Sequence, residues 1–358
     1  MQKVFTPRAM TAIALAGVAA LLLTAGPTSQ ATAATKKVGV SLILKNLTNP
    51  FFIAMTKGAK AKAKALGMNL SVAAGKDETD DAAQITAIEN AVSKKDAGIL
   101  ITPISPGVYS AITKARKAGL YVIALDTPTD PASIVDITYA TDNCLAGELI
   151  GKWAAAKMNG KKAVIALLDI FDDKNVTTDY CRDNGFLKGF GVPLGNPKLL
   201  ADEPKTGKYT GGKGGDYEIV GNVATLGAEE GGRTGMEKLL AKNPNVNLVY
   251  TLNEPAAAGA NAALKAAGKK AVIVSVDGGR AGVENVKAGV IGATSQQYPL
   301  LMASLGVQSI FDLITKKIKP KTTAGLDFYN TGVILITDDP QPGVPSKSVA
   351  YGLANAWG

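Results

Sequence analysis

Two α/β lobes, each a doubly wound parallel sheet covered by helices on both faces, are the architecture this sequence predicts. Strand and helix patterns alternate along most of its 358 residues, a length sufficient for two cores. The strand runs are continuously apolar, as in strands buried on both faces. The alternation also falls into two rounds, each about the size of one doubly wound domain. A single eight-unit barrel has a similar period and remains the alternative, although it would present one ring of strand ends.

The first round opens with Val38–Leu44, a continuous apolar run, followed by a helix from Asn49 to Gly67. Asn49 is the N-cap, Pro50 occupies the first helical position and Gly67 closes the helix. Asn69–Ala73 is the next strand, and Asp80–Lys94 is a helix opened by acidic residues. Gly98–Thr102, a helix from Gly107 to Lys117, then the strands Leu120–Leu125 and Ile137–Thr141 follow. Cys144–Met158 reads as a helix.

The second round runs from the strand Ala163–Leu168 through a helix over Thr178–Phe190. Val192–Gly215 is rich in Gly, Pro and Lys and is expected to be a mobile surface excursion. The strands Ile219–Ala224, Asn247–Thr251, Ala271–Val276 and Ile291–Ser295 alternate with helices over Glu229–Ala241, Pro255–Ala267 and Val283–Ala288. Leu300–Ile314 is the last long helix and Val333–Ile336 the last strand.

Residues 1–34 are set apart from the fold. Lys3 and Arg8 form a basic start, Ala12–Ala25 an apolar stretch, and Ala31-Thr32-Ala33-Ala34 a small-residue cleavage site. The apolar stretch is short for a bilayer and ends at Gly26-Pro27, so a cleaved export signal is expected, with cleavage near Ala33/Ala34. Its removal lowers the formal charge of +9 by two. The remaining basic residues are scattered (Lys57, Lys60, Lys62, Lys64), without an arginine cluster or aromatic platform, and no nucleic-acid partner is expected.

The chain has no histidine, which excludes a Ser-His-Asp triad, a Cys-His dyad and histidine-ligated zinc. The acidic stretch Asp169–Asp173 lacks the glycine and closing glutamate of a calcium loop, and Gly211–Gly215 lacks the phosphate-loop pattern. No metal or cofactor is expected. Cys144 and Cys181 both lie in the exported part, where an oxidising compartment favours a disulfide; a buried pair of free thiols is the alternative.

Ligands of open α/β sheets bind beyond the carboxyl ends of the strands. The polar residues there are Asn49, Asp126, Thr141, Arg182, Asn253, Asp277 and Gln297, with Phe51 and Phe52 on the same rim. Hydroxyl-rich ligands suit this mixture, because Asp, Asn, Gln and Arg pair with hydroxyls while ring C–H faces pack on aromatic side chains. Each residue also has a plainer role. Asn49 serves as a cap, Asp126-Thr127-Pro128 and Asp277-Gly278-Gly279 make turns, Arg182 pairs along its helix with Asp179 or Asp183, and the two phenylalanines pack in a core. Recurrence at successive strand ends favours the site. Asp126 and Asp277 as a glycosidase pair is the enzyme alternative.

The stretches Thr48–Phe52, Ala124-Leu125-Asp126, Ala140–Asn143, Arg182–Phe186, Asn253-Glu254, Val276-Asp277-Gly278 and Ala293–Pro299 resemble the ribose-type periplasmic sugar-binding proteins of bacterial ABC importers. Glu229–Thr234, Asn253–Ala260, Gly289–Leu300 and Trp357-Gly358 look most similar to the fructose-binding members. The departures are the Lys205–Asp216 insertion, both cysteines, and Thr127 where ribose binders carry arginine.

The resemblance implies a type I periplasmic binding protein with three crossovers, near Thr141/Asp142, Gln297/Tyr298 and Asn330/Thr331. The lobes implied are 36–141 with 298–330, and 142–297 with 331–358. Asn49, Phe51, Phe52, Asp126 and Thr141 would face a monosaccharide from one lobe, with Lys45 a weaker candidate. Arg182, Asn253, Asp277 and Gln297 would face it from the other. A monomer in the periplasm, closing on a sugar and delivering it to membrane permease subunits without catalysing a reaction, is the function implied. Fructose is the expected sugar, ribose and mannose are alternatives, and a chemoreceptor's ligand sensor or a LacI-like repressor is compatible with the same fold. The export signal stands where a repressor would carry its DNA-binding helices.

Overall fold

The computed structural model describes residues 38–358, so the expected export signal lies outside the described residues. No helix among the described residues is long and apolar enough to cross a membrane.

The chain begins with β1 (Gly39–Leu44), α1 (Pro50–Ala65), β2 (Asn69–Ala74), α2 (Asp81–Lys94), β3 (Gly98–Ile101), α3 (Tyr109–Lys117), β4 (Tyr121–Leu125) and β5 (Ile137–Ala140). It continues through α4 (Asn143–Met158), β6 (Ala163–Asp169), α5 (Thr177–Phe190), β7 (Thr206–Tyr209), β8 (Gly215–Ala224), α6 (Glu229–Lys242), β9 (Leu248–Thr251), α7 (Glu254–Ala266), β10 (Val272–Asp277), α8 (Arg280–Lys287) and β11 (Ala293–Gln296). It ends with α9 (Pro299–Lys316), β12 (Tyr329–Asn330), β13 (Ile334–Ile336) and α10 (Val349–Asn355).

Two sheets result, ordered β12-β5-β4-β3-β1-β2 and β13-β11-β10-β9-β6-β8-β7. Every pair in the first is parallel, and in the second only the edge strands β13 and β7 run antiparallel. Both sheets reverse direction beside their first strand, β1 or β6, and that switch point opens a crevice at the strands' carboxyl ends. The two-lobe α/β architecture is therefore the observed one, and the barrel is not.

Each sheet is covered on both faces. Helices α1 and α9 bury one face of the first with Phe51, Met55, Met302 and Val307, while α2 and α3 bury the other with Ile88 and Ile112. On the second sheet, α4 and α5 cover one face with Trp153 and Phe186, and α6, α7 and α8 cover the other.

Local chemistry fixes the elements that reach the cleft. The Asn49 side chain accepts from Phe51 N at 3.0 Å, Pro50 starts α1, and Gly67 takes φ 64° just beyond the helix. Helices α4 and α5 lie almost backbone to backbone. A Cβ added at Gly147 would stand 2.1 Å from the Arg182 carbonyl oxygen, and one at Gly185 2.3 Å from that of Cys144. Cys144 and Cys181 are joined by a disulfide across the same contact. Arg182 thus sits on a helix held by close packing and a covalent bond.

Three elements depart from the expectation. The 192–215 stretch, expected as a mobile excursion, contains β7 paired antiparallel with β8. Tyr209 anchors it, fully buried, with its hydroxyl donating to the Lys161 carbonyl at 2.8 Å. A four-residue edge strand with three exposed positions gives too little apolar alternation to read. β12 and α10 were likewise not expected; they are two and seven residues long.

Candidate functional site

The carboxyl ends of the two sheets face each other across a cavity. It encloses about 340 Å³ of space between protein atoms, open edge included. Its lining includes Asn49, Phe51, Phe52, Asp126, Arg182, Asn253, Asp277 and Gln297, so eight of the nine strand-end candidates come together. Lys45, the weaker candidate, lines it too.

Thr141 does not. Its hydroxyl turns to the Gly332 carbonyl at 3.4 Å, and its own carbonyl accepts from Asn143 Nδ2 at 3.3 Å. The chain leaves the first sheet here, and the two crossing strands compete for the side chain that a strand end elsewhere would present to the cleft.

Arg182 is the electrostatic centre. Its Nε donates to Asn143 Oδ1 at 2.8 Å and its Nη1 to the Leu252 carbonyl at 2.9 Å. Its other contacts are Asp126 at 3.6 Å and Asp277 at 3.9 Å, one carboxylate from each sheet. It makes no ion pair with Asp179 or Asp183. Asp179 instead accepts from the backbone N–H groups of Ile170 (2.9 Å) and Phe171 (3.0 Å).

Both strand-end aspartates occupy backbone conformations that non-glycine residues avoid, Asp126 at φ 63° and Asp277 at φ 141°. Such strain persists where surrounding contacts enforce it, and it concentrates at functional sites. At Asp277 the enforcing contact is Glu254, whose carboxylate accepts from Gly278 N (2.8 Å), Gly279 N (3.1 Å) and the Thr294 hydroxyl (2.9 Å). Burial, and then the Asp277 charge, push the Glu254 carboxyl well above its ordinary range. Burial also pushes Asp277 up to about 6, against the pull of Arg182.

The amides are divided between structure and cavity. Gln297 Nε2 donates to Asp277 Oδ1 at 2.7 Å, which leaves its Oε1 without a partner. Asn253 caps α7 through Ala256 N (3.1 Å) and donates to the Gly227 carbonyl (2.9 Å). Asn49 caps α1 through its side-chain oxygen and also lines the cavity. Asp126 Oδ1 has no hydrogen-bond partner either. Buried acceptors without partners are costly, and here they surround one small space.

Glu78, which strand-end reasoning does not name, also lines the cavity. It reaches the cavity from the loop after β2, ion-paired to Lys45 at 3.3 Å with both side chains almost wholly buried. Burial raises its pKa, opposed by Lys45. Its position four residues past the edge strand β2 was the available signal, masked by the acidic run Asp77–Asp81 that reads as a helix start. Contacts across the cleft complete the enclosure: Thr178 Oγ1 to Thr127 Oγ1 at 3.1 Å, Thr177 Oγ1 to the Pro128 carbonyl, and Lys198 to Asp130 at 2.6 Å. Among the described residues, no group of three or more acidic or cysteine side chains is arranged to hold a metal ion.

A family model described as a periplasmic binding protein domain matches residues 40–318. The ribose import binding protein of Haemophilus influenzae is 32% identical over 271 residues, covering 75% of this chain and 82% of the relative. The D-allose-binding periplasmic protein of Escherichia coli is 26% identical over 283 residues, covering 76% and 83%. A solved ABC transporter solute binding protein from Agrobacterium vitis, with bound D-fucose, aligns with TM-score 0.70 and 26% identity over 86% of this chain and 100% of that one.

Proposed function

Because this chain belongs to the periplasmic binding protein family, we propose that it is the sugar-binding component of an ABC importer and that its ligand is one monosaccharide, fructose first. The observation that carries the reading is a pair of buried acceptors without hydrogen-bond partners, Asp126 Oδ1 and Gln297 Oε1, on residues that line one cavity, with Arg182 in ion-pair range of both Asp126 and Asp277. Hydroxyl groups donate to such acceptors and accept from Arg182, Lys45 and the Asn49 amide. The rings of Phe51 and Phe52, perpendicular to each other with centroids 5.5 Å apart, offer apolar surface to the C–H side of a sugar.

The proposed contacts come from both lobes. Asn49, Phe51, Phe52, Asp126, Lys45 and Glu78 serve from 36–141 with 298–330. Arg182, Asn253, Asp277 and Gln297 serve from 142–297 with 331–358. A ligand that touches both lobes only when they meet shifts the hinge equilibrium by its differential affinity. Permease subunits in the membrane would read the closed form, the protein acting as a monomer in the periplasm after its export signal is removed. The family is one of binding proteins, and Asp126 and Asp277 are assigned here to holding hydroxyls, with Arg182 between them, instead of to glycoside hydrolysis.

Fructose is preferred over ribose for two reasons: Thr127 follows Asp126 where ribose binders carry arginine, and the Lys45–Glu78 pair adds a donor and an acceptor. Calorimetric titration of the mature protein with fructose, ribose, mannose and allose tests the choice. Fructose is expected to bind most tightly, with one site per chain. Tighter ribose binding would reassign the sugar, and no heat with any would end the sugar-binding reading.

A further inference from the structure

We propose that Trp357 is a positioning residue of the sugar site: it ties the second lobe to the aromatic wall of the first and sets how firmly the lobes stay closed. This rests on the sugar-binding reading above. Trp357 does not line the cavity, and no motif assigns it a role.

The chain reaches Trp357 from α10, which packs on α8 and β13 of the second lobe. Its carbonyl accepts from Arg280 N, at the start of α8, at 2.9 Å. Its indole Nε1–H donates to the Gln297 carbonyl at 2.8 Å, one residue before a crossover and on a residue that lines the cavity. Gly279, beside strained Asp277, makes room for the ring: a Cβ there would stand 3.1 Å from its edge. The backbone of Trp357 is therefore held by the second lobe.

Its ring also packs into the first. It is buried in the hydrophobic cluster of α1 and α9 and meets Phe51 edge to face, with centroids 5.4 Å apart at 81°. Phe51 in turn meets Phe52 edge to face at 5.5 Å. Three rings in a row run from the second lobe's polypeptide to the cavity wall. If the lobes separate, the Trp357–Phe51 contact is lost or the indole must slide against Phe51, and apolar surface returns to water. The contact is thus a bias toward closure that costs no ligand contact, and it fixes the ring that a sugar packs against.

The mature protein and its Trp357→Ala, Trp357→Leu and Trp357→Phe variants, titrated with D-fructose and D-ribose and followed by stopped flow, test this. For the sugar that wild type binds, Ala and Leu are expected to raise Kd by about tenfold or more through faster dissociation. Phe, which keeps a ring on Phe51, is expected to retain most of the affinity. Trp153, the other tryptophan, lies in the second lobe's core. The ligand-induced change in tryptophan emission of wild type should therefore come from Trp357 and be absent in Trp357→Phe, and an off-rate rescued by Phe but not by Leu is the readout that a merely structural role would not give. Leu covers the case in which Ala fails to fold. Wild-type affinity and off-rate in Leu, or an emission change that persists in Phe, would overturn the proposal while leaving sugar binding intact. A wild type that binds neither sugar would remove both readings.

Discussion

Replacing Arg182 with alanine is expected to abolish measurable monosaccharide binding. The guanidinium is proposed to give two charge-assisted hydrogen bonds to the ligand, each worth about 1.5–3 kcal/mol, and tenfold in affinity corresponds to about 1.4 kcal/mol. The loss is then about 10²–10⁴-fold in Kd. A further effect acts in the same direction. Asp126 at 3.6 Å and Asp277 at 3.9 Å would be left buried without their cation. Asp277, already raised to about 6 by burial, would rise further, and a protonated carboxyl has fewer acceptor sites for hydroxyls. Arg182→Lys is expected to fail as well, because one ammonium cannot hold Asn143, the Leu252 carbonyl and a ligand from a fixed fork. Circular dichroism of the variants should match wild type, since close α4–α5 packing and the Cys144–Cys181 bond hold the helix independently. Titration showing Kd within a few-fold of wild type would remove Arg182 from the site.

The second large effect is on stability against pH. Burial raises the carboxyls of Asp169, Asp183, Glu254 and Glu78, and raises Asp179 to about 7 and Asp277 to about 6. A carboxyl whose folded pKa lies above its unfolded value binds its proton more tightly in the folded state. Its contribution is therefore fully present below about pH 4 and is lost as pH rises through 6 to 7. Glu148 and Glu218 shift the other way, lowered by hydrogen bonds to their lysine and asparagine partners. They titrate below the ordinary glutamate range, outside this window, and solvent screens them. The ligand-free protein is thus expected to melt several degrees higher at pH 5 than at pH 8. Asp183 offers the sharpest control, because neither of its buried oxygens has a hydrogen-bond partner. Asp183→Asn should flatten the profile and stabilise the protein at pH 8. Thermal unfolding that is flat in wild type, or that rises from pH 5 to pH 8, would contradict this accounting.

What the sequence made legible follows the range of the forces involved. Continuous apolar strands and their capped helices are local, so the two sheets and the Asn49-Pro50-Phe51-Phe52 helix start could be read directly. Strand-end logic then gathered eight residues into one cavity, because topology, and not local propensity, places carboxyl ends together. The misses are tertiary. Thr141 obeys the same logic but stands where the chain crosses between lobes, and its hydroxyl is taken by Gly332. Glu78 looks like part of a solvated acidic helix start until Lys45 is seen beside it. The Cys144–Cys181 bond, by contrast, was expected from the compartment and is present, although the close, glycine-lined approach of α4 and α5 that permits it is a distance no spacing supplies. Asn49 shows the two scales together: its oxygen caps a helix, a local event, and the residue lines a cavity that only the second lobe completes.

The most direct test of the central claim is a crystal structure of the mature protein grown with D-fructose. One sugar ring is expected between the lobes, its hydroxyls on Asp126, Arg182, Asp277 and Gln297 and its C–H face on Phe51 and Phe52. A ring bound elsewhere, or bound with these side chains still paired only to one another, would contradict the account.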